Sequence, residues 1–137
     1  MNKGHVIKIS GPVVDVRFEE GELPSIYTAL EITTEEDQKI VLEVMQHLGD
    51  NIVRTVAMQS TDKLYRGMEV INLEKPICAP VGKEVLGRIL NVVGEPIDKL
   101  EPINATDYWS IHRKPPEYRD INPEMEIFET GIKVIDL

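Results

Sequence analysis

The chain has 137 residues, of which 42% are hydrophobic and 28% are charged, and its formal net charge is −9. Nucleic acids and anionic lipids bind clustered lysine and arginine, so this acidic balance disfavours both as direct partners. The single cysteine, Cys78, excludes an internal disulfide. No apolar run approaches the ~18 residues of a membrane helix. We also expect no signal peptide, because Lys8 interrupts the short apolar run near the N-terminus.

The first part of the chain, residues 1–75, is rich in valine and isoleucine that alternate with polar residues. Val14 and Val16, for example, alternate with Asp15 and Arg17, as in a strand with one buried face. Glycine, proline and acidic turn signals separate the runs. The predicted strands cover residues 5–9, 13–18, 29–33, 39–48, 52–58 and 68–73. Six short strands at close spacing favour a small closed β-barrel, since closure removes exposed sheet edges.

The second part, residues 76–137, holds seven of the nine prolines. Proline lacks the N–H that a β-ladder needs, so we place a domain boundary near Pro76. Helical spacing of apolar residues predicts a helix over 83–93. Residues 95–123 are predicted to form an extended, proline-rich connection.

The last residues are predicted to form a short strand over 126–129 and a helix over 131–137 with Thr130 as its cap. This helix has no terminating signal, and Asp136 lies where a helix C-terminus disfavours negative charge. We therefore expect the helix to continue beyond Leu137 in a longer protein.

No segment carries a catalytic motif. The Gly82-Lys83 pair fails as a phosphate-binding loop, which requires G-x-x-x-x-G-K-[ST], because Glu84 replaces the hydroxyl residue. The three histidines lack metal-ligand spacing and are predicted to be solvated or structurally bonded. Cys78 is predicted to be a small core residue. No catalytic, cofactor-binding or metal-binding residue is therefore assigned.

Five segments, in order, resemble one protein family. They are GPVVDVRF (11–18) with 23–31, VRTVAM (53–58) with 61–70, PVGKEVLGRILNVVGEPID (80–98), IHR (111–113) with the following prolines, and ETGIKVIDL (129–137). The chain is similar to the N-terminal portion of the β subunit of bacterial F-type ATP synthases. The resemblance covers nearly the whole chain, and the first two segments favour the catalytic β subunit over α or the export ATPases.

The resemblance implies a mainly β protein. A six-stranded N-terminal β-barrel over residues 1–75 would be followed, over 76–137, by the incomplete start of a RecA-like α/β nucleotide-binding domain that ends before the phosphate loop. We expect no catalysis and no cofactor in this fragment, whereas the full-length protein would bind Mg-ATP or Mg-ADP and make or hydrolyse ATP coupled to proton or sodium flow. Expected partners are the α subunit and other F1 subunits of a hexameric ring, in the cytoplasm and peripheral on the inner face of the cell membrane.

Two cations on the predicted strands, Arg17 and Arg54, are candidate subunit-interface residues, although each could equally well only balance local acids. A different function remains open, namely a stand-alone barrel that binds an oligonucleotide or oligosaccharide. Such a barrel should carry stacking aromatic residues and basic charge. Residues 1–75 hold only three aromatic residues and have 8 basic and 13 acidic residues, a net charge of −5. A fragment of an export-type or other rotary ATPase is a third possibility.

Overall fold

Residues 2–137, which the computed structural model describes, form eight strands, two short 3-10 turns and one short helix. Met1, the first residue of the predicted barrel domain, lies outside the described residues. The strands are β1 Lys3–Ser10, β2 Val13–Phe18, β3 Thr28–Thr33, β4 Lys39–Gly49, β5 Ile52–Ala57, β6 Glu69–Pro76, β7 Cys78–Val81 and β8 Asp107–Ser110. The 3-10 turns are Lys83–Val85 and Tyr118–Asp120, and the helix α1 is Lys133–Asp136.

The first six strands close into an antiparallel barrel in the order β1-β2-β5-β4-β3-β6, which confirms the predicted six-stranded barrel. Tight turns set its register. Between β4 and β5, Asp50 and Asn51 both have positive φ, at 50° and 58°, which suits a two-residue hairpin loop. Between β1 and β2, Gly11 has a φ of 59° next to Pro12.

The barrel interior is filled by aliphatic side chains. Alternate residues of each strand point inward, so every strand contributes to one cluster. Its members are Val6, Val14, Val16, Phe18, Leu30, Ile32, Ile40, Leu42, Val44, Val53, Leu64, Met68 and Val70. Each fully buried valine, leucine or isoleucine contributes roughly 1.5–3 kcal/mol, so this aliphatic cluster is the main source of the barrel's stability.

One polar side chain inside the barrel, Thr55, is fully buried, and its hydroxyl donates to the carbonyl oxygen of Val14 at 2.7 Å. That bond avoids the cost of burying an unpaired hydroxyl.

Downstream of the barrel, β7 and β8 form a separate two-stranded antiparallel sheet. Strand β8 lies inside the segment predicted as an extended connection. Pro80 is paired with Tyr108 in this sheet, which is possible because β7 lies at a sheet edge, where a missing N–H is tolerated. The predicted boundary falls at the end of β6, and the adjoining Ile77 is still buried.

The predicted helix over 83–93 is wrong. Only the 3-10 turn Lys83–Val85 forms, and Gly87 then adopts a left-handed φ of 72° that ends it. The N–H of Ile89 donates to the Asp98 carboxylate instead of to a helical carbonyl. The apolar spacing therefore reflects a surface that this chain leaves exposed.

The two elements predicted near the C-terminus are also corrected. Residues 126–129 form no strand and pair with no other segment. The final helix is shorter than predicted, and its N-cap is Ile132 rather than Thr130. Asp136 folds back to accept the N–H groups of Thr130 and Gly131, at 3.0 and 2.8 Å. The hydroxyl and backbone N–H of Thr130 hold the pKa of the Asp136 carboxyl below its usual value.

Candidate functional site

The first candidate interface residue, Arg54, pairs with Asp15 on the neighbouring strand. Arg54 Nε lies 2.9 Å from Asp15 Oδ1 and Nη2 lies 3.0 Å from Oδ2, a two-bond fork that the β2–β5 register sets up. The hydrogen bonds to Asp15 raise the pKa of the Arg54 guanidinium. Arg54 thus balances a local acid, as the alternative interpretation held, while three of its five N–H donors stay outside the fork.

The second candidate, Arg17, is exposed on β2 between His5 on β1 and Ile52 on β5. Within residues 2–137 it makes no ion pair. It lines a shallow depression of about 250 Å³ together with Lys3 and His5. The Arg17 guanidinium is therefore available to pair with a carboxylate of another protein, whereas the charge of Arg54 is partly neutralised by Asp15.

A cluster of three residues that the sequence did not reveal joins the barrel to the downstream segment, residues 77–137. We call these residues, Tyr27, Glu43 and His112, the clasp. His112 Nε2 lies 2.9 Å from Glu43 Oε1, and the Glu43 side chain is only 6% exposed. The rings of His112 and Tyr27 stack with centroids 4.0 Å apart. Glu43 and His112 are 69 residues apart, so no local pattern could have paired them.

The backbone around the clasp is fixed on both sides. Tyr27 has a φ of 66°, a left-handed conformation that costs a bulky residue roughly 1–3 kcal/mol. Its N–H donates to the carbonyl of Val44 at 2.7 Å, and the N–H of Ile111 donates to Ile77 at 3.0 Å. The first bond holds Tyr27 to β4, and the second holds Ile111 to the residue that follows β6. The His112–Glu43 contact therefore joins two backbone segments that are each held in place.

A second ion pair stiffens the loop between β7 and β8. Arg88 Nε lies 2.6 Å from Asp98 Oδ2, Arg88 Nη2 lies 3.0 Å from Oδ1, and the same nitrogen donates to the Glu101 carbonyl at 2.7 Å. Asp98 also accepts the N–H groups of Ile89 and Leu100. The Arg88 guanidinium and these N–H groups hold the pKa of the Asp98 carboxyl well below its usual range.

The Gly82-Lys83 turn is unsuited to phosphate. A carboxylate oxygen of Glu84 lies 2.6 Å from where a Cβ of Gly82 would be, so negative charge covers the glycine. Between residues 2 and 137, no group of three or more His, Cys, Asp or Glu side chains is arranged to hold a metal ion.

The remaining residues that the sequence singled out have structural surroundings. His47 Nε2 lies 2.8 Å from the Pro24 carbonyl oxygen, and His5 is exposed on β1. The prediction of Cys78 as a core residue is wrong, because its side chain is half-buried at a cleft of about 220 Å³ between β7 and the barrel. The described part of the chain contains no helix with the length and apolar character to cross a membrane.

Comparison with known proteins identifies the barrel. A family model described as the ATP synthase alpha/beta family, beta-barrel domain, matches residues 6–74. The match begins in β1 and ends in β6, so it covers the six strands that close the barrel and about half of the chain.

Proposed function

Because the chain belongs to the ATP synthase alpha/beta family, we propose that it is the N-terminal assembly module of the β subunit of a bacterial F-type ATP synthase. The observation that carries this proposal is the coincidence of the closed barrel with the matched residues 6–74. The choice of the β subunit rests on the resemblance of residues 11–18 and 23–31, and on the order of the segments that continue beyond the barrel to residue 137.

The role of the barrel is assembly rather than chemistry. Its interior is packed with aliphatic side chains, so only the outer surface can engage another molecule. Closure also removes the strand edges through which a peptide could add to the sheet. Contacts must therefore be made by outward side chains on the barrel flanks, where Arg17 and Arg54 lie.

The exposed apolar side chains of the downstream segment also support this proposal. It exposes large apolar side chains that form no core of their own, among them Met125 at 97% exposure, Ile127 at 90% and Phe128 at 85%. Apolar surface of this kind is typical of segments covered by other protein. We propose that residues 76–137 open a RecA-like nucleotide-binding domain whose other parts cover these side chains.

In this proposal the complete subunit holds Mg-ATP or Mg-ADP and makes or hydrolyses ATP coupled to proton or sodium flow, while residues 1–137 contribute no catalytic group. The partners are the α subunit and other subunits of the F1 sector, which lies in the cytoplasm against the inner face of the membrane.

An oligonucleotide-binding barrel is a weaker candidate. Phe18 is buried in the core, Tyr27 is stacked on His112, and the Tyr65 hydroxyl donates to Glu35 at 3.1 Å. Only Tyr27 and Tyr65 are exposed aromatic residues of the barrel, and residues 1–75 carry a net charge of −5, whereas such a barrel is expected to carry several stacking aromatic residues and basic charge.

The assembly role is tested by deleting residues 2–75 from the complete subunit and reconstituting it with α. We expect hexamers to be lost, as measured by size-exclusion chromatography with light scattering. Hexamers that form normally without the barrel would refute the assembly role. Calorimetry of residues 1–137 with Mg-ATP is expected to give no heat of binding, because no amide cradle, lysine and hydroxyl are arranged for phosphate.

A further inference from the structure

Charge on the barrel strands is divided between two halves. Strands β1, β2 and β5 are neighbours in the barrel and carry four cations and one carboxylate, a net charge of +3. Strands β4, β3 and β6 form the other half and carry two cations and four carboxylates, a net charge of −2. We call the first half the basic flank; its charged residues are Lys3, Lys8, Asp15, Arg17 and Arg54.

The strand register places these charges in two adjacent rows on the outer surface. One row runs through Lys8, Asp15 and Arg54, and the next runs through His5 and Arg17. A depression of about 300 Å³ lies along the first row, and the depression of about 250 Å³ that Arg17 lines lies along the second.

The cations of the basic flank differ in what they already bind. Arg54 is bound to Asp15, and Lys3 lies 2.9 Å from Glu69. Among the described residues, Lys8 and Arg17 form no ion pair. A barrel with a net charge of −5 thus presents two cations without an ion pair on one side, with Glu19 lining the same depression as Arg17 and the Arg54-bound Asp15 lining the same depression as Lys8.

We propose that the basic flank receives carboxylates from the neighbouring, non-identical barrel of the ring, so that barrels join head to tail with a fixed direction. This inference rests on the proposed assembly function and adds to it which flank is used and with what chemistry. A ring requires two different faces on each barrel. The basic flank is one such face, and its charge favours correct orientation during encounter with a carboxylate-bearing partner.

The acidic half of a second copy of this chain would bind the basic flank poorly, so we infer that the neighbouring barrel is a different one. Glu31 is paired with Lys39, Glu43 with His112 and Glu69 with Lys3. A second copy would therefore offer few free carboxylates to Lys8 and Arg17. Two copies with net charges of −5 would also repel at long range.

The test uses the complete subunit with purified α subunit and compares two double charge reversals. The first variant is Lys8→Glu with Arg17→Glu on the basic flank. The matched control is Arg66→Glu with Lys75→Glu, which makes the same change in net charge at two exposed cations that also form no ion pair among the described residues but lie outside the basic flank. Circular dichroism and thermal unfolding verify that both variants fold. Association is measured by titration at low and at high salt.

We expect the basic-flank variant to weaken association by about tenfold or more at low salt. The loss should shrink toward 1 M salt, where the Debye length is about 3 Å. The control should stay within about twofold of wild type. The neutral pair Lys8→Gln with Arg17→Gln should show an intermediate loss, which separates lost attraction from added repulsion.

Equal losses in the two reversed variants, or no loss in the first, would overturn the role of the basic flank. Self-assembly of the unmodified subunit into rings without α would overturn the choice of occupant. The deletion of residues 2–75 distinguishes a failure of the assembly function from a failure of the basic-flank role. If that deletion abolishes assembly while the basic-flank variant assembles normally, the proposed function stands and this inference fails.

Discussion

Removal of the His112 side chain is expected to release the downstream segment from the barrel without unfolding the barrel. His112→Ala leaves the Glu43 carboxylate, which is only 6% exposed, without its partner at 2.9 Å. It also removes the ring that stacks on Tyr27. A buried polar group left unpaired costs about 1–3 kcal/mol and an aromatic pair contributes about 0.5–1.5 kcal/mol, so we expect a loss of about 2–4 kcal/mol.

Hydrogen exchange followed by mass spectrometry measures this loss segment by segment. A loss of about 2–4 kcal/mol corresponds to at least about 30-fold faster exchange through local opening. The acceleration should be confined to β7, β8 and the Ile111 amide, which donates to Ile77, while the amides of β2 and β5 keep their protection. Glu43→Gln retains a hydrogen-bonding group and should show a smaller acceleration.

His5→Ala is the matched control, because His5 is an exposed histidine on β1. It should leave exchange in β7 and β8 unchanged. If His112→Ala and His5→Ala gave the same exchange pattern, the clasp would not be the contact that holds the segment to the barrel. Faster exchange throughout the barrel would instead assign His112 a role in global stability.

Three further substitutions test the packing and the loop. Gly4→Ala should destabilise the barrel by about 1–3 kcal/mol in chemical denaturation, because the new Cβ would lie 2.9 Å from the carbonyl oxygen of Arg17; unchanged stability would mean that β1 can shift. Leu30→Ala should cost about 2–5 kcal/mol, since the side chain is fully buried in the core. The hydrogen bonds from Arg88 lower the pKa of the Asp98 carboxyl in the folded loop. The ion pair therefore stabilises the loop fully at pH values above the ordinary aspartate pKa. That stabilisation is lost as the pH falls from there through the lowered pKa. Protection factors in the 83–101 loop, which are corrected for the intrinsic pH dependence of amide exchange, should therefore fall in acid, and Asp98→Asn should remove that fall.

The barrel could be predicted because its causes are local. Alternation between buried and exposed residues identifies a strand from a few neighbouring positions, and turn residues separate one strand from the next. The predicted second strand, 13–18, has the same bounds as β2, and the others differ from the observed strands by one to three residues at their ends. Closure followed from the number and spacing of strands, since six short strands leave unprotected edges unless they close.

The errors lie where structure depends on distant residues. Strand β8 has no apolar alternation and exists because it pairs with β7, about thirty residues earlier in the chain. The segment 83–93 has helical spacing, yet the positive φ of Gly87 and the Asp98 carboxylate draw its backbone into a loop. The clasp could not be predicted because Glu43 and His112 are 69 residues apart in the chain. The Arg54–Asp15 pair could be predicted only with the β2–β5 register, which places the two residues opposite each other.

The architecture explains why charge should carry the recognition in this module. A closed barrel with a packed interior offers no strand edge, and its basic flank carries only open surface depressions, so a partner contacts outward side chains on a curved surface. Charged side chains remain hydrated while the barrel is alone and become selective only against a partner of opposite sign. Lys8 and Arg17 form no ion pair within residues 2–137 and lie beside the Arg54–Asp15 fork, so their charges are the ones on this flank that can make that selection.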